Sequence, residues 1–342
     1  MIRVVTFGEI MLRMSPPGFE RLLQSSSLVA TWGGGEANVA VSLAAFGLDS
    51  WYVTRLPRNA LGDAAIRALR AEGVRTEAIA RGGSRVGLYF TEAGASQRAS
   101  TVLYDRAHSA ISEIEPDAVD WPAVTRGAAW LHVTGITPAL GGRAAAATEA
   151  AIAAARAAGA RVSVDLNFRR KLWTEQQAQA VMRPLVTGAD VVIANEEDLQ
   201  ATLGIHVPDT NVTSGALAID GYRQAARELC ETLRVSTVAI TLRESLSASD
   251  NGWSAALYQH SDGSFLTGQH YDVRLVDRIG GGDAFAAGLI FGLVTGRPPA
   301  AALRFAISAS ALKQTIPGDF NRVSVEEVDR LAEGDASGRV QR

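Results

Sequence analysis

Apolar and polar positions change rhythm several times along this 342-residue chain, and each change marks an element. Val4 to Phe7 make a continuous apolar run closed by Gly8, the pattern of a strand buried on both faces. Residues 9–32 lose that rhythm: Pro16, Pro17 and a Gln/Ser cluster precede Leu28 to Trp32, which predicts short exposed strands and loops. Gly33 to Gly35 then open Glu36 to Phe46, apolar at helical spacing, with Gly47 as the stop. Ser50 to Thr54 reads as a strand, and Asp63 to Glu72 as a helix ended by Gly73.

Residues 85–110 break the strand–helix alternation. Val86 to Thr91 and Ser100 to Tyr104 predict two strands joined by a Gly/Ser-containing turn, a hairpin and not a crossover. From residue 129 the alternation is regular: strand 129–134, Ala-rich helix 142–158, strand 161–165, helix 174–186, strand 190–193 and helix 195–203. A helix over Gly221 to Leu233 and a strand over Thr237 to Thr241 follow. This is the βαβ pattern of a parallel sheet covered on both faces. Ser254 to His260 and Ser264 to Val273 predict a hairpin at the sheet edge, with a strand from Gln269 to Val276 leading into two closing helices, 283–294 and 298–313. The expected fold is α/β and doubly wound, a mainly parallel sheet with helices on both faces plus a small β-sheet lid. One domain would span 1–335, with the lid formed by about 9–35 and 85–112 and a polar tail at 336–342.

The chemistry concentrates in Asp277 to Gly288, DRIGGGDAFAAG. Three glycines leave backbone amides bare at the start of a helix, whose N-terminus carries roughly half a positive charge, so the turn is an anion cradle. Asp283 stands inside that cradle, where a bound anion would face a carboxylate. Phosphoryl transfer accounts for the pairing: amides hold the migrating charge while the carboxylate accepts a proton from the attacking hydroxyl. A glycine turn with a capping acid satisfies the same pattern, so the rest of the chain decides. In open α/β sheets ligands sit beyond the carboxyl ends of the strands. Those ends carry Asp165, Asn167 and Arg169, then Asn195 to Asp198, then Thr241 and Arg243, then the glycine cradle. Asn195 and Asp198, at i and i+3, offer oxygen ligands for a hydrated Mg²⁺, although Asn195 also suits a helix N-cap. Arg169 and Lys171 can neutralise an anionic substrate group, and Tyr89, Tyr104 and Arg106 supply hydroxyls and a guanidinium from the hairpin.

Composition narrows the partners. A net charge of −3 without a dense Lys/Arg run argues against a nucleic-acid or anionic-membrane surface, so any anion site is local. The single cysteine, Cys230, cannot form an internal disulfide and falls in a helical run, as a small core residue does. Five scattered histidines lack metal-ligand spacing. MIRVVTFGEI has no long apolar segment or cleavage site, and no apolar run reaches membrane length, so a cytoplasmic protein is expected.

VVTFGE, GGGEANVA and DRIGGGDAFAAG together resemble the signatures of the ribokinase-like, or pfkB, carbohydrate kinases. The resemblance spans nearly the whole chain. GLYF at 87–90, LYDRAHSA at 103–110, DLNFRRKLW at 165–173 and DRIGGGD are similar to the branch that phosphorylates 2-keto-3-deoxy sugar acids such as 2-dehydro-3-deoxygluconate. The resemblance implies an ATP- and Mg²⁺-dependent kinase, optionally with a monovalent cation, that phosphorylates the terminal hydroxyl of the acid. It implies Asp283 as proton acceptor and Gly280, Gly281 and Gly282 as anion hole. Gly34, Asn38, Tyr89, Tyr104, Arg106, Arg169 and Asp319 would meet the sugar acid. Asn167, Asn195, Thr241, Arg243 and Ser245 would face ATP with the cradle, and Asn195 and Asp198 would hold Mg²⁺ through water. Two departures stand out: Asp198 occupies the place of the family Glu, and RESLSASDNGW stands where a Gly-rich nucleotide loop is usual. Exposed lid edges predict a homo-oligomer. A fructose, ribose or nucleoside kinase, or a non-catalytic sugar-acid-binding regulator, are the alternatives.

Overall fold

The structure, a computed structural model, describes residues 1–208, 219–335 and 338. Apart from Gly338, the expected polar tail at 336–342 lies outside the described residues. The chain enters through β1 (Arg3–Phe7), β2 (Met11–Ser15) and β3 (Val29–Gly33), then α1 (Gly35–Ala45), β4 (Asp49–Val53) and the short β5 (Arg55–Leu56). Next come α2 (Ala60–Ala71), β6 (Ala80–Arg81), β7 (Gly87–Glu92), β8 (Thr101–Asp105) and the single-turn α3 (Trp121–Thr125). The regular alternation runs β9 (Trp130–Thr134), α4 (Ile136–Ala139), α5 (Gly142–Ala157), β10 (Arg161–Asp165), α6 (Glu175–Val186), β11 (Val191–Ala194) and α7 (Glu196–Leu203). The chain then passes through α8 (Ile219–Leu233), β12 (Thr237–Ser245), β13 (Asp250–Gln259), β14 (Phe265–Thr267) and β15 (Tyr271–Arg274). It closes with α9 (Gly281–Val294), α10 (Pro299–Lys313) and α11 (Val325–Ala332).

The main sheet has nine strands in the order β14-β13-β12-β11-β10-β9-β1-β4, with β15 also on β13. From β4 to β12 every pairing is parallel; β13 reverses, and β14 and β15 reverse again. Two reversals aim the carboxyl end of β15 at the rim where the parallel strands end. Alternate side chains on one strand feed two separate cores, as the two-residue period of a strand requires. Val5, Leu131 and Val192 join the core under α5, α6 and α8, whereas Val4, Trp130 and Val191 join the one under α1, α9 and α10. Small residues let α9 and α10 approach closely: a Cβ on Gly292 would stand 2.6 Å from the Ala302 Cβ, and one on Gly288 would stand 2.8 Å from the Ala306 Cα. A second, four-stranded sheet, β3-β2-β7-β8, stands over the rim and is built from the two N-terminal segments predicted to form it.

Three local expectations change. Thr237 to Thr241 is only the first half of β12, which continues to Ser245 and turns back into β13, so the stretch expected as a nucleotide loop is a β-hairpin. Alternation explains the miss: Leu242 points into the core while Thr241, Arg243 and Ser245 point away, and a single buried residue among polar neighbours is a weak strand signal. The predicted strands 264–273 and 269–276 are interrupted: β14 and β15 are separate short strands on β13. A Cβ on Gly268, between them, would fall 2.0 Å from the Ile307 Cδ1, so close packing on α10 accounts for that glycine. A third closing helix, α11, carries a capping box at Ser324 and Glu327 that the apolar pattern alone did not reveal.

Candidate active site

One cleft of about 720 Å³ lies between the rim of the main sheet and the small sheet. Gly34, Asn38, Tyr89, Tyr104, Arg106, Asn167, Arg169, Asn195, Asp198, Thr241, Arg243, Ser245, Gly280, Gly281, Gly282, Asp283 and Asp319 all line it. Lys171 does not; it faces an adjoining depression beside β8.

Asp283 sits in the first turn of α9 at the cleft floor. The Asn38 Nδ2 donates to its Oδ2 at 2.6 Å, and the Asn38 Oδ1 accepts from the Gly34 amide at 3.2 Å. Two glycine-led helices, α1 and α9, are thereby clamped tip to tip. Burial, opposed by the Asn38 hydrogen bond and reinforced by the charge of Asp319, pushes the Asp283 carboxyl up to about 6. That places it in the range of a general base working near neutral pH.

The three cradle glycines have different reasons to be glycine. Gly280 takes the left-handed region (φ 84°), and a Cβ there would lie 2.2 Å from the Asp319 carbonyl oxygen. A Cβ on Gly281 would stand 3.1 Å from the Gln314 Cγ, whereas one on Gly282 would meet nothing within 4 Å. Only Gly282 therefore opens the first turn of α9 toward the cleft, where an anion can approach its amides. Gly34 is glycine for the chain as well as for the cleft, since a Cβ would fall 2.0 Å from the Glu9 carbonyl oxygen.

Carboxylates crowd the neighbouring strand ends. The Asp198 Oδ1 accepts from the Phe168 amide at 2.9 Å, and burial pushes this acid up to about 6. Asp165, at the end of β10, is pushed up by burial and then by the charges of Asp198 and Asp283. A cation would relieve this repulsion. Asn195 caps α7, its Oδ1 accepting from the Asp198 amide at 2.9 Å, which leaves that oxygen one lone pair for a metal-bound water. Among the described residues no group of three or more His, Cys, Asp or Glu could hold a metal directly. The site suits an ion that keeps most of its waters, as Mg²⁺ does.

A buried polar network that the sequence did not announce fastens the small sheet to the cradle. The Arg13 Nη1, on β2, lies 2.8 Å from both the Asp319 Oδ1 and the Asp277 Oδ2. The Tyr89 hydroxyl donates to the Asp319 Oδ2 at 2.5 Å. The Asp277 Oδ2 also accepts from the Gly318 amide, and the fully buried Lys313 donates to the Asp277 carbonyl at 3.2 Å. Arg106 lies across the Tyr104 ring (4.0 Å) and faces the buried Glu9 at 3.3 Å. Arg13 alternates with Leu12 and Met14 as a surface residue of a short strand would; its partners lie 264 and 306 positions away (277 − 13 and 319 − 13). Beneath α1, Glu36 accepts from the Thr134 amide and from the Thr134 and Thr137 hydroxyls, and burial pushes it up to about 7. Cys230 is buried and its thiol is pushed up to about 12 by burial, as befits a core residue.

A glycine-cradled helix N-terminus, a facing carboxylate of raised pKa and a covering β-sheet at the rim of a doubly wound fold define a phosphotransferase-like site. The model of the pfkB family of carbohydrate kinases matches residues 1–322, and the chain belongs to that family. It is 33% identical over 338 residues to the 2-dehydro-3-deoxygalactonokinase of Haloferax volcanii, covering 98% of each chain. It is 28% identical to the 2-dehydro-3-deoxygluconokinase of Bacillus subtilis, over 94% of this chain and 93% of the other. The crystal structure of 2-dehydro-3-deoxygluconokinase from Thermotoga maritima superposes with a TM-score of 0.92 at 48% identity, covering 98% of this chain and all of the other.

Proposed function

We propose that this protein is an ATP-dependent kinase that phosphorylates the terminal hydroxyl of 2-dehydro-3-deoxy-D-gluconate. The observation that carries the reading is the cleft itself, in which Asp283 and the α9 amides face Arg169 and the tyrosines of the small sheet. The sugar acid would lie between Asn38 and Gly34 on one side and Tyr89, Tyr104, Arg106 and Asp319 on the other. Arg169 suits the substrate carboxylate: among the described residues it makes no ion pair, its Nη1 donates to the Phe168 carbonyl at 3.3 Å, and its charge acts on Asp165, Asp198 and Asp283 from a distance. Asp283 would take the proton of the attacking hydroxyl, and the open amides by Gly282 would face the developing phosphoryl charge. Gly280, Gly281, Asn167, Asn195, Thr241, Arg243 and Ser245 would hold ATP, and Asp198, with Asn195, would hold Mg²⁺ through water. When bound, the nucleotide supplies the phosphoryl group and the metal offsets its charge. Tyr89 and Arg13 keep the small sheet over the cleft, where it acts as a lid that excludes water.

The carboxylate assignment separates this reading from a neutral-sugar kinase of the same family. Arg169→Ala is expected to raise KM for 2-dehydro-3-deoxygluconate by about 10- to 100-fold, the range for losing one hydrogen-bonded charge, and to leave KM for fructose or ribose unchanged. A coupled ADP assay over sugar acids and neutral sugars measures this, and equal losses on both would discard the acid.

Assembly through the lid belongs to the same reading. β8 is an outer strand of the small sheet, paired among the described residues with β7 alone, and carries the exposed Leu103 and Tyr104. Light scattering is expected to give at least a dimer mass, and a monomer mass would rule the lid contact out.

A further inference from the structure

Beside the cradle, the hairpin of β12 and β13 presents a polar face on which several buried donors meet no acceptor. Arg243 and Trp253 are direct cross-strand partners, as are Ser245 and Asn251, so these four side chains share one face, and all of them line the cleft. Arg278, two residues before Gly280, leans on that face: its Nη2 donates to the Asn251 Oδ1 at 3.2 Å. The other donors are left over. Arg278 Nε, Asn251 Nδ2 and Trp253 Nε1 are buried and unpartnered, and Asn251 is only 1% exposed. Neither Arg278 nor Arg243 has a carboxylate partner among the described residues. Burial and the nearby Arg243 both hold the Arg278 guanidinium below its ordinary value, so the two cations repel each other.

Buried donors that lack acceptors, arranged around two unpaired guanidiniums, are complementary to a polyanion and costly without one. We infer that Arg278 and Arg243, with Asn251 and Trp253, form a clamp for the nucleotide's polyphosphate chain that works without the metal. Arg278 takes the end nearest the cradle, since it is joined to Gly280 through Ile279. The hairpin that stands where a glycine-rich loop was expected thus contributes charge to the phosphates. The inference rests on the phosphotransfer reading and assigns Arg278 a binding role at that site.

The test is titration calorimetry on the full chain in EDTA, with inorganic tripolyphosphate as the probe and thermal unfolding of the free protein alongside. Wild type is expected to bind tripolyphosphate, and Arg278→Met and Arg243→Met each to bind it about tenfold more weakly or worse, as for loss of a charge-assisted bond. Free Arg278→Met is expected to unfold no earlier than wild type, because shedding a half-buried cation without a carboxylate partner offsets the loss of its bond to the Asn251 Oδ1. Arg278→Lys keeps the charge and is expected to retain most of the binding even if the Met variant folds poorly. Unchanged binding by Arg278→Met overturns the clamp. So does earlier unfolding with binding retained, the signature of a side chain that only braces the turn. If wild type binds tripolyphosphate through Arg278 yet transfers no phosphoryl group from ATP to any sugar acid, the clamp stands and the kinase reading falls.

Discussion

Asp283→Asn is expected to lower kcat on the sugar acid by about 10² to 10⁴, the usual worth of a positioned proton transfer, with little change in KM. The amide is isosteric, and its oxygen can still accept from the Asn38 Nδ2, so the clamp between α1 and α9 survives. What disappears is a group able to take the hydroxyl proton. The same residue sets a pH dependence. With a carboxyl pushed up to about 6, the base is half protonated near that pH, and only its ionised form can accept a proton. At saturating Mg²⁺, which holds Asp198 in its ionised form, wild-type kcat/KM should fall about tenfold per pH unit below 6, while the residual rate of Asp283→Asn stays flat over that range. Single-turnover rates between pH 5 and 8 measure both. A variant within about tenfold of wild type would remove Asp283 from the role of base.

Arg13→Ala is expected to destabilise the protein by about 3 to 5 kcal/mol, the cost of removing one partner from a buried ion pair. Arg13 is 8% exposed and Asp319 3%, and one guanidinium nitrogen serves Asp319 and Asp277 together. Without it, Asp319 keeps the Tyr89 hydroxyl but loses its countercharge, and Asp277 keeps only backbone amides. Lys313 is close enough to act on both acids but is itself held below its ordinary pKa by burial. The loss should appear in urea unfolding as a lower midpoint at unchanged slope. It should also raise KM for the sugar acid, because Arg13 positions Asp319 and ties β2 of the lid to the cradle. A loss below about 1 kcal/mol would show that the triad is open to water.

Much of the cleft could be read in the chain because its parts are local. Glycines before a helix, an acid in the first turn and polar residues at strand ends each depend on a few neighbouring positions, and the topology of a parallel sheet brings strand ends to one rim. Short-range patterning therefore located Asp283, Arg169 and Asp198, whereas Asn38 came only from the resemblance to the pfkB signatures. The stretch joining the legible strands 237–241 and 254–260 escaped as strand because Leu242 stands alone among Thr241, Arg243, Glu244 and Ser245 before the turn. Asn195 was legible both as a residue of the site and as a helix cap, and in the structure its oxygen makes the cap by accepting from the Asp198 amide.

By itself the sequence determined the α/β alternation, the two-piece small sheet, the cradle and its acid. These follow from hydrophobic period and from the conformational freedom of glycine, which act over a few residues. Only the tertiary structure decided which charges neutralise one another. Arg13 with Asp319 and Asp277, Arg106 with Glu9, and Arg278 with no carboxylate partner among the described residues are outcomes of distance and burial. An ion pair costs or stabilises according to the water left around it, and the order of residues along a chain does not encode that directly.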